Sequence, residues 1–186
     1  PCTRSCGFCS VKSGRPQGLD TDEPRRVAAA AKGMALKHLV LTSVNRDDLA
    51  DGGAAHVAAT VRAIRDRRPG TRVEVLISDL KGDAESLDVV LAADPDVVNH
   101  NMETVARLQR AVRPSAGYAR SLALLGRSAL AGATTKSGLV VGLGETMEEI
   151  AATLADMAAV GVSIVTIGQY LRPTSHHLPV ANWWTP

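Results

Sequence analysis

The sequence predicts an α/β fold built on parallel strands. Short β-branched apolar runs alternate with longer helix-period segments from one end of the chain to the other, and the runs end in polar residues or glycine. A helical segment between successive strands makes them parallel. Five such strands give either a doubly wound sheet or a (β/α) barrel, complete or partial, and the pattern alone does not choose between them.

The elements follow in order. A helical segment over 23–35 precedes the first apolar run, KHLVLTSV at 37–44. Helix-period sequence at 53–68 then leads to RVEVLIS at 72–78, and the segment 84–93 leads to DVVNHN at 96–101. Two further helical segments, 103–112 and 118–131, precede TKSGLVVGL at 135–143. The last helix is predicted over 146–160, where Thr146 and Glu149 have capping-box spacing and Gly161 supplies a stop, and VSIVTIGQYL at 162–171 closes the series. Continuous apolar runs of this kind are expected of strands covered on both faces. Polar residues gather at the strand ends: Thr42 and Ser43, Asn99 and Asn101, Gly142 to Glu145, and Gln169 with Tyr170. In parallel α/β folds ligands bind at that edge.

Composition narrows the function. The 186 residues fit one domain with a sizeable core, and the chain is read as a single domain over 1–186. Apolar residues at 45% and charged residues at 22% describe a globular protein, and no stretch approaches the roughly 20 apolar residues of a membrane span. A net charge of +2 and a single Phe, two Tyr and two Trp argue against nucleic acid as a partner, which calls for a basic stripe with stacking aromatics.

All three cysteines fall in CTRSCGFC at residues 2–9. Neighbours this close make strained disulfide rings, so a reducing compartment and a metal centre are the better reading. Ser5 and Gly7 between them let the backbone curl around a ligand. One possibility is zinc, with a fourth ligand drawn from His38, His56, His100, His176 or His177. The other is a [4Fe–4S] cluster with three thiolate-ligated irons and a fourth iron open to a small molecule.

Cys2, Cys6, Phe8 and Cys9 form a C-x3-C-x-aromatic-C pattern that resembles the signature of the radical S-adenosylmethionine (SAM) superfamily, and GLVVGLGE at 138–145 is similar to a second superfamily motif. Six segments occur in the order seen in the lipoyl synthase family: CTRSCGFCSVKSGRP, TSVNRDDLADGGA, NHNMET, VRP, TKSGLVVGLGET and IGQYLRPTSHHLPV. The resemblance runs from Cys2 to Pro179 and implies a partial parallel (β/α)6 TIM-like barrel, truncated at both ends, with the first strand lying before Pro1.

The resemblance implies a chemistry as well. Cys2, Cys6 and Cys9 would hold a radical-generating [4Fe–4S] cluster whose open iron takes the amino and carboxylate groups of SAM. Thr42, Ser43 and Asp47 would meet the amino group and sulfonium; Asn99, Asn101 and Glu103 the ribose diol; and Arg113 or Lys136 the carboxylate. Gly142, Gly144 and Glu145 of the second motif, with backbone around Gly168, Gln169, Tyr170 and Leu171, would complete SAM binding. Each also has a plain structural reading: a strand-end cap, a turn, tight packing, or for Glu145 a carboxylate beside a helix N-terminus. In the family, two sulfur atoms are inserted at C6 and C8 of an octanoyl chain on a carrier protein or lipoyl domain, with a reductant such as ferredoxin or flavodoxin. A second, auxiliary [4Fe–4S] cluster supplies the sulfur through three further cysteines and a serine. With no such cysteines here, the chain is expected to be a fragment carrying the SAM-binding half, unable alone to make the lipoyl group and exposing an unpaired sheet edge. The bacterial cytoplasm is the expected location, with organellar targeting left open.

Overall fold

The computed structural model describes residues 1–185. Helix α1 (Glu23–Gly33) precedes strand β1 (His38–Thr42), and α2 (Ala54–Arg67) leads to β2 (Arg72–Leu76). Then come α3 (Ala84–Leu91), β3 (Val97–Asn99), the short α4 (Gln109–Val112), α5 (Tyr118–Leu130), β4 (Thr135–Val141), α6 (Met147–Ala159) and β5 (Ile164–Gln169). All five strands are parallel and their order in the sheet is their order in the chain, 1-2-3-4-5.

That order resolves the choice left open by the pattern. A doubly wound sheet reverses its strand order at a switch point, whereas an unbroken series with right-handed crossovers keeps the helices on one face. The molecule is half of a barrel, with the helices outside and a lumen on the other face.

The strands are therefore not covered on both faces, and here the expectation of continuous burial fails. On β2, Val73 and Val75 go into the core while Glu74, between them, turns to the lumen. Glu74 there accepts from Asn99 Nδ2 at 2.8 Å and pairs with Lys136 Nζ at 3.0 Å. A strand that is apolar on one side and polar on the other needs only one covering layer. β1 and β5 are the sheet's edges, and β5 is exposed along most of its length.

Two apolar clusters hold the helices to the sheet. One gathers residues of α1, α2 and α3 on β2 and β3, centred on Val61, Ile64, Val73, Val75 and Leu87. The other joins Leu125 and Met157 to Leu139 and Val141 of β4, with Met102 and Val105. Helix α6 starts as its sequence says: Thr146 Oγ1 accepts from the Glu149 amide at 3.3 Å while Glu149 Oε2 accepts from the Thr146 amide at 2.9 Å.

The predicted helix over 103–112 is not one. Glu103 bridges to Leu139 in an extra strand-like step, residues 106–108 form a 3-10 turn, and only Gln109–Val112 is α-helical. The Glu103 amide donates to the Gly138 carbonyl at 2.9 Å and its carbonyl accepts from Val140 N at 2.8 Å, so sheet pairing takes the backbone groups that a helix would have used. Glu103 sits at φ 63°, a conformation uncommon for a residue with a side chain.

Candidate active site

The cysteine loop is held from several sides. Cys2 N donates to Lys12 O at 2.9 Å and Gly14 N returns a bond to Cys2 O at 2.9 Å, closing the loop on itself. Thr3 N and Oγ1 both donate to Asn45 O, at 3.1 and 3.0 Å, tying the loop to the segment after β1. Gly7 N reaches Val112 O at 2.8 Å, at the end of α4. On the opposite side Leu178 N donates to Gly7 O at 2.9 Å, and a His177 ring nitrogen lies 3.2 Å from the Cys9 carbonyl oxygen. A β-carbon on residue 7 would stand 2.8 Å from the Leu178 side chain, so any larger residue there would have to displace Leu178.

The strongest anchor is Arg4. Its guanidinium grips Asp47 by a fork, with Nε and Nη2 each 2.7 Å from a carboxylate oxygen, and Nη2 also reaches Asp79 at 2.6 Å. Asp79 is fully buried and takes a second partner, Arg120, at 3.2 Å. Burial works against the charge on Arg4, but the hydrogen bonds it donates to both carboxylates, with their charges, outweigh it and hold the guanidinium above its usual range. Burial likewise acts to raise the Asp79 carboxyl, and Arg4 overrides it, so Asp79 stays below the usual carboxylate range.

Above this clamp, at the C-terminal ends of β1, β2 and β3, lies a cavity of about 330 Å³. Cys2, Cys6 and Cys9 line it together with Thr42, Ser43 and Asn45 after β1, and with His100, Asn101, Glu103 and Arg113 on the β3 side. Arg113 Nη1 donates to the carbonyls of Asn101 and Met102, both at 3.0 Å, which fixes the turn that carries Asn101 and Glu103. Asn101 Nδ2 donates to Glu103 Oε1 at 3.1 Å. Burial pushes the Glu103 carboxyl up and the Arg113 charge opposes it. Cys6 is raised by burial, with Arg113 again opposing and the neighbouring cysteines adding to the rise.

The cavity thus brings together eight of the residues expected to hold the cluster and SAM: Cys2, Cys6, Cys9, Thr42, Ser43, Asn101, Glu103 and Arg113. Others stand elsewhere. Asp47 is taken by the Arg4 fork, and its backbone amide donates to Thr3 Oγ1 at 3.0 Å. Asn99 and Lys136 are bound to Glu74 in the lumen, so of the two cations expected at a carboxylate only Arg113 lines the cavity. Around the ends of β4 and β5 the chain folds back on itself. Glu145 accepts from the Gly142 and Leu143 amides and from Trp184 Nε1, and Ala181 N donates to Gly142 O at 2.8 Å. Gly144 lies beside Ala181 in the same crossing. Gln169 binds Asn182 and Trp184, the Tyr170 hydroxyl donates to Leu178 O at 2.8 Å, and Leu171 is 68% exposed.

Arg4 and Asn45 are site residues to which the sequence assigned no role. Arg4 had a signal, a lone arginine inside the cysteine loop with the carboxylates of RDD downstream. His100, offered as a zinc ligand, lines the cavity but has its two ring nitrogens at Ile77 O and Ser121 Oγ, partners from distant parts of the chain.

The donor set suits an iron–sulfur cluster better than a lone ion. Among the described residues no three His, Cys, Asp or Glu side chains converge closely enough for a single metal. The histidines offered as a fourth ligand have other partners or are exposed: His38 faces Glu74, His56 Glu23, His100 Ser121 and His177 Thr174, while His176 is exposed. Cys2, Cys6 and Cys9 all line one cavity, and thiolates are the usual protein ligands of iron–sulfur clusters.

A family model described as the radical SAM superfamily matches residues 2–157. The lipoyl synthase of Rubrobacter xylanophilus is 58% identical over the whole of this chain, which covers 58% of that protein. Those of Symbiobacterium thermophilum and Leptospira interrogans are 56% and 51% identical, again over the whole chain, which covers 58% and 62% of them. The chain thus spans about three-fifths of the length of these relatives. Among solved structures, methylornithine synthase aligns with a TM-score of 0.76 at 17% identity, covering 98% of this chain and 53% of that one, which bears on the fold alone.

Proposed function

The chain belongs to the radical SAM superfamily, and from that premise we propose that it is the cluster-bearing barrel of a lipoyl synthase, the enzyme class that inserts two sulfur atoms at C6 and C8 of a protein-bound octanoyl chain. The observation that carries this reading is the cavity in which three cysteines face hydroxyl, amide, carboxylate and guanidinium groups at the strand ends. Identity of 51–58% to lipoyl synthases across the whole chain supports the choice of reaction within the superfamily.

Cys2, Cys6 and Cys9 would hold the cluster. When bound, a reduced [4Fe–4S] cluster supplies the electron that cleaves SAM to methionine and the 5′-deoxyadenosyl radical. The protein's share is positioning. Thr42 and Ser43 present hydroxyls where an ammonium and a sulfonium need acceptors, and Asn101 with Glu103 presents an amide and a carboxylate where a diol needs both. Arg113, buried and fixed by two backbone carbonyls, faces the same space with a permanent positive charge suited to a carboxylate. Arg4, through Asp47 and Asp79, keeps the cysteines in register with these groups.

The substrate is assigned as an octanoyl chain on a carrier protein or lipoyl domain, and the reductant as a ferredoxin or flavodoxin. Since all three cysteines are committed to one centre, sulfur donation from a second cluster is assigned to the part of the relatives' length that this chain does not span. The bacterial cytoplasm is the proposed location, by similarity to the bacterial lipoyl synthases.

Anaerobic reconstitution with iron and sulfide tests the reading. The expected result is about four irons per chain, a cluster spectrum altered by SAM, and 5′-deoxyadenosine on reduction, with lipoyl product from an octanoylated peptide when the intact protein is used. Tight zinc uptake with no iron and no deoxyadenosine would sink it.

A further inference from the structure

The three cysteine sulfurs are not equivalent. Cys2 is buried, and its Sγ is approached by two nitrogen donors: the Arg4 backbone amide at 3.4 Å and the Asn45 side-chain amide, Nδ2, at 3.8 Å. Among the described residues neither Cys6 nor Cys9 receives an N–H donor at sulfur, although both line the same cavity.

Asn45 is held in place through its own backbone, whose carbonyl accepts from Thr3 N and Thr3 Oγ1. The segment bearing the amide and the segment bearing Cys2 are therefore tied together one residue away from the sulfur. The other half of the amide is unexplained by the protein: Asn45 Oδ1 is buried and has no hydrogen-bond partner among the described residues. A buried polar atom left unpaired is costly, so a side chain kept only to fill this space would be apolar. What the amide does provide is a donor directed at a cluster ligand.

A thiolate sulfur carries part of the charge of the cluster it ligates. Donors at that sulfur withdraw electron density and stabilise the more negative, reduced state, and hydrogen bonds of this kind are among the protein's means of setting a cluster's potential. We propose that Asn45 tunes the reduction potential of the cluster held by Cys2, Cys6 and Cys9, raising it through an N–H···S bond to Cys2. Asn45 acts through Cys2 and is a positioning residue, not a catalytic one. The inference rests on the function proposed above.

The test is a redox titration of the intact, anaerobically reconstituted protein, following the electron paramagnetic resonance signal that responds to SAM. This response singles out the relevant cluster if others are present. Asn45→Leu removes the amide at similar size, and Asn45→Asp removes the donor with the least change of shape. Both variants are expected to shift the midpoint to more negative potential, Asp further than Leu because it adds negative charge, with iron content and melting temperature close to the unaltered protein. Midpoints that coincide with the unaltered protein's in both variants overturn the inference, as does loss of iron or of thermal stability with the residual cluster at its original potential. Absence of any SAM-responsive cluster in the unaltered protein would bring down the proposed function as well, whereas a normal cluster indifferent to residue 45 leaves that function standing.

Discussion

Arg4 shows most plainly how one side chain decides whether three thiols form a site. Its side chain is 4% exposed, and it neutralises two carboxylates, one of them, Asp79, wholly buried. Breaking a buried pair outright costs on the order of 3–5 kcal/mol; here Asp79 would keep Arg120 and Asp47 is partly exposed, so the loss is expected at or below the low end, about 2–3 kcal/mol. Arg4→Met is therefore expected to lower the denaturant midpoint by an amount of that order and to reduce iron uptake in parallel, measured by urea unfolding and iron analysis. Arg4→Lys keeps the charge and loses the fork, and should fall between the two proteins. An Arg4→Met protein with full iron content and an unchanged midpoint would show that the loop is held by its backbone bonds alone. The cysteines themselves are legible in the sequence because their spacing is local. The clamp is less so: Asp47 sits within a recognisable RDD, but Asp79 is 75 residues from Arg4 and nothing in its neighbours marks it.

The same division between local and distant information holds for whole elements. Helix α6 is written into its own residues, since Thr146 and Glu149 satisfy each other's amides and Gly161 follows at φ 89°. Thr146→Ala should cost about 1 kcal/mol, read as a lower unfolding midpoint with the cavity residues untouched; no change at all would mean that packing of Ile150 and Met157 sets the start of the helix. The segment 103–112 is the opposite case. Its sequence has a helical rhythm, yet Glu103 and its neighbours pair with β4, and that pairing puts Glu103 and Asn101 into the cavity. Local propensity lost to contacts with Gly138 and Val140, 35 and 37 positions away, and it lost at the functional edge, where departures from local preference are expected. The lumen was illegible for a related reason: Glu74, Asn99 and Lys136 become partners only when three strands lie side by side.

At the scale of the molecule, His100 joins the parts. One ring nitrogen lies 2.9 Å from the Ile77 carbonyl oxygen at the end of β2 and the other 2.8 Å from Ser121 Oγ on α5, so the side chain links the two regions of core. Burial first, and the nearby Arg113 charge second, pull its pKa from 6.5 down to about 4, while Asp79 acts in the opposite direction. At pH values between 4 and 6.5 the unfolded chain takes up a proton that the folded one refuses, so stability is complete above about 6.5 and declines as pH falls toward 4. A shift of this size corresponds to about 3 kcal/mol, of which about 2 kcal/mol is expected to be gone by pH 5. The carboxylates act in a separate window. Asp47, Asp79 and Glu74 all have folded values below the usual carboxylate range, so their contribution persists down to about pH 4 and is lost only below it. Urea unfolding at pH 7 and pH 5 separates the two: the unaltered protein should lose about 2 kcal/mol between them, and His100→Gln, although less stable at pH 7, should lose much less. Equal slopes for the two proteins would mean that the ring is protonated in place or that other groups govern this range, and the join between β2 and α5 would then tolerate a charge that its burial argues against.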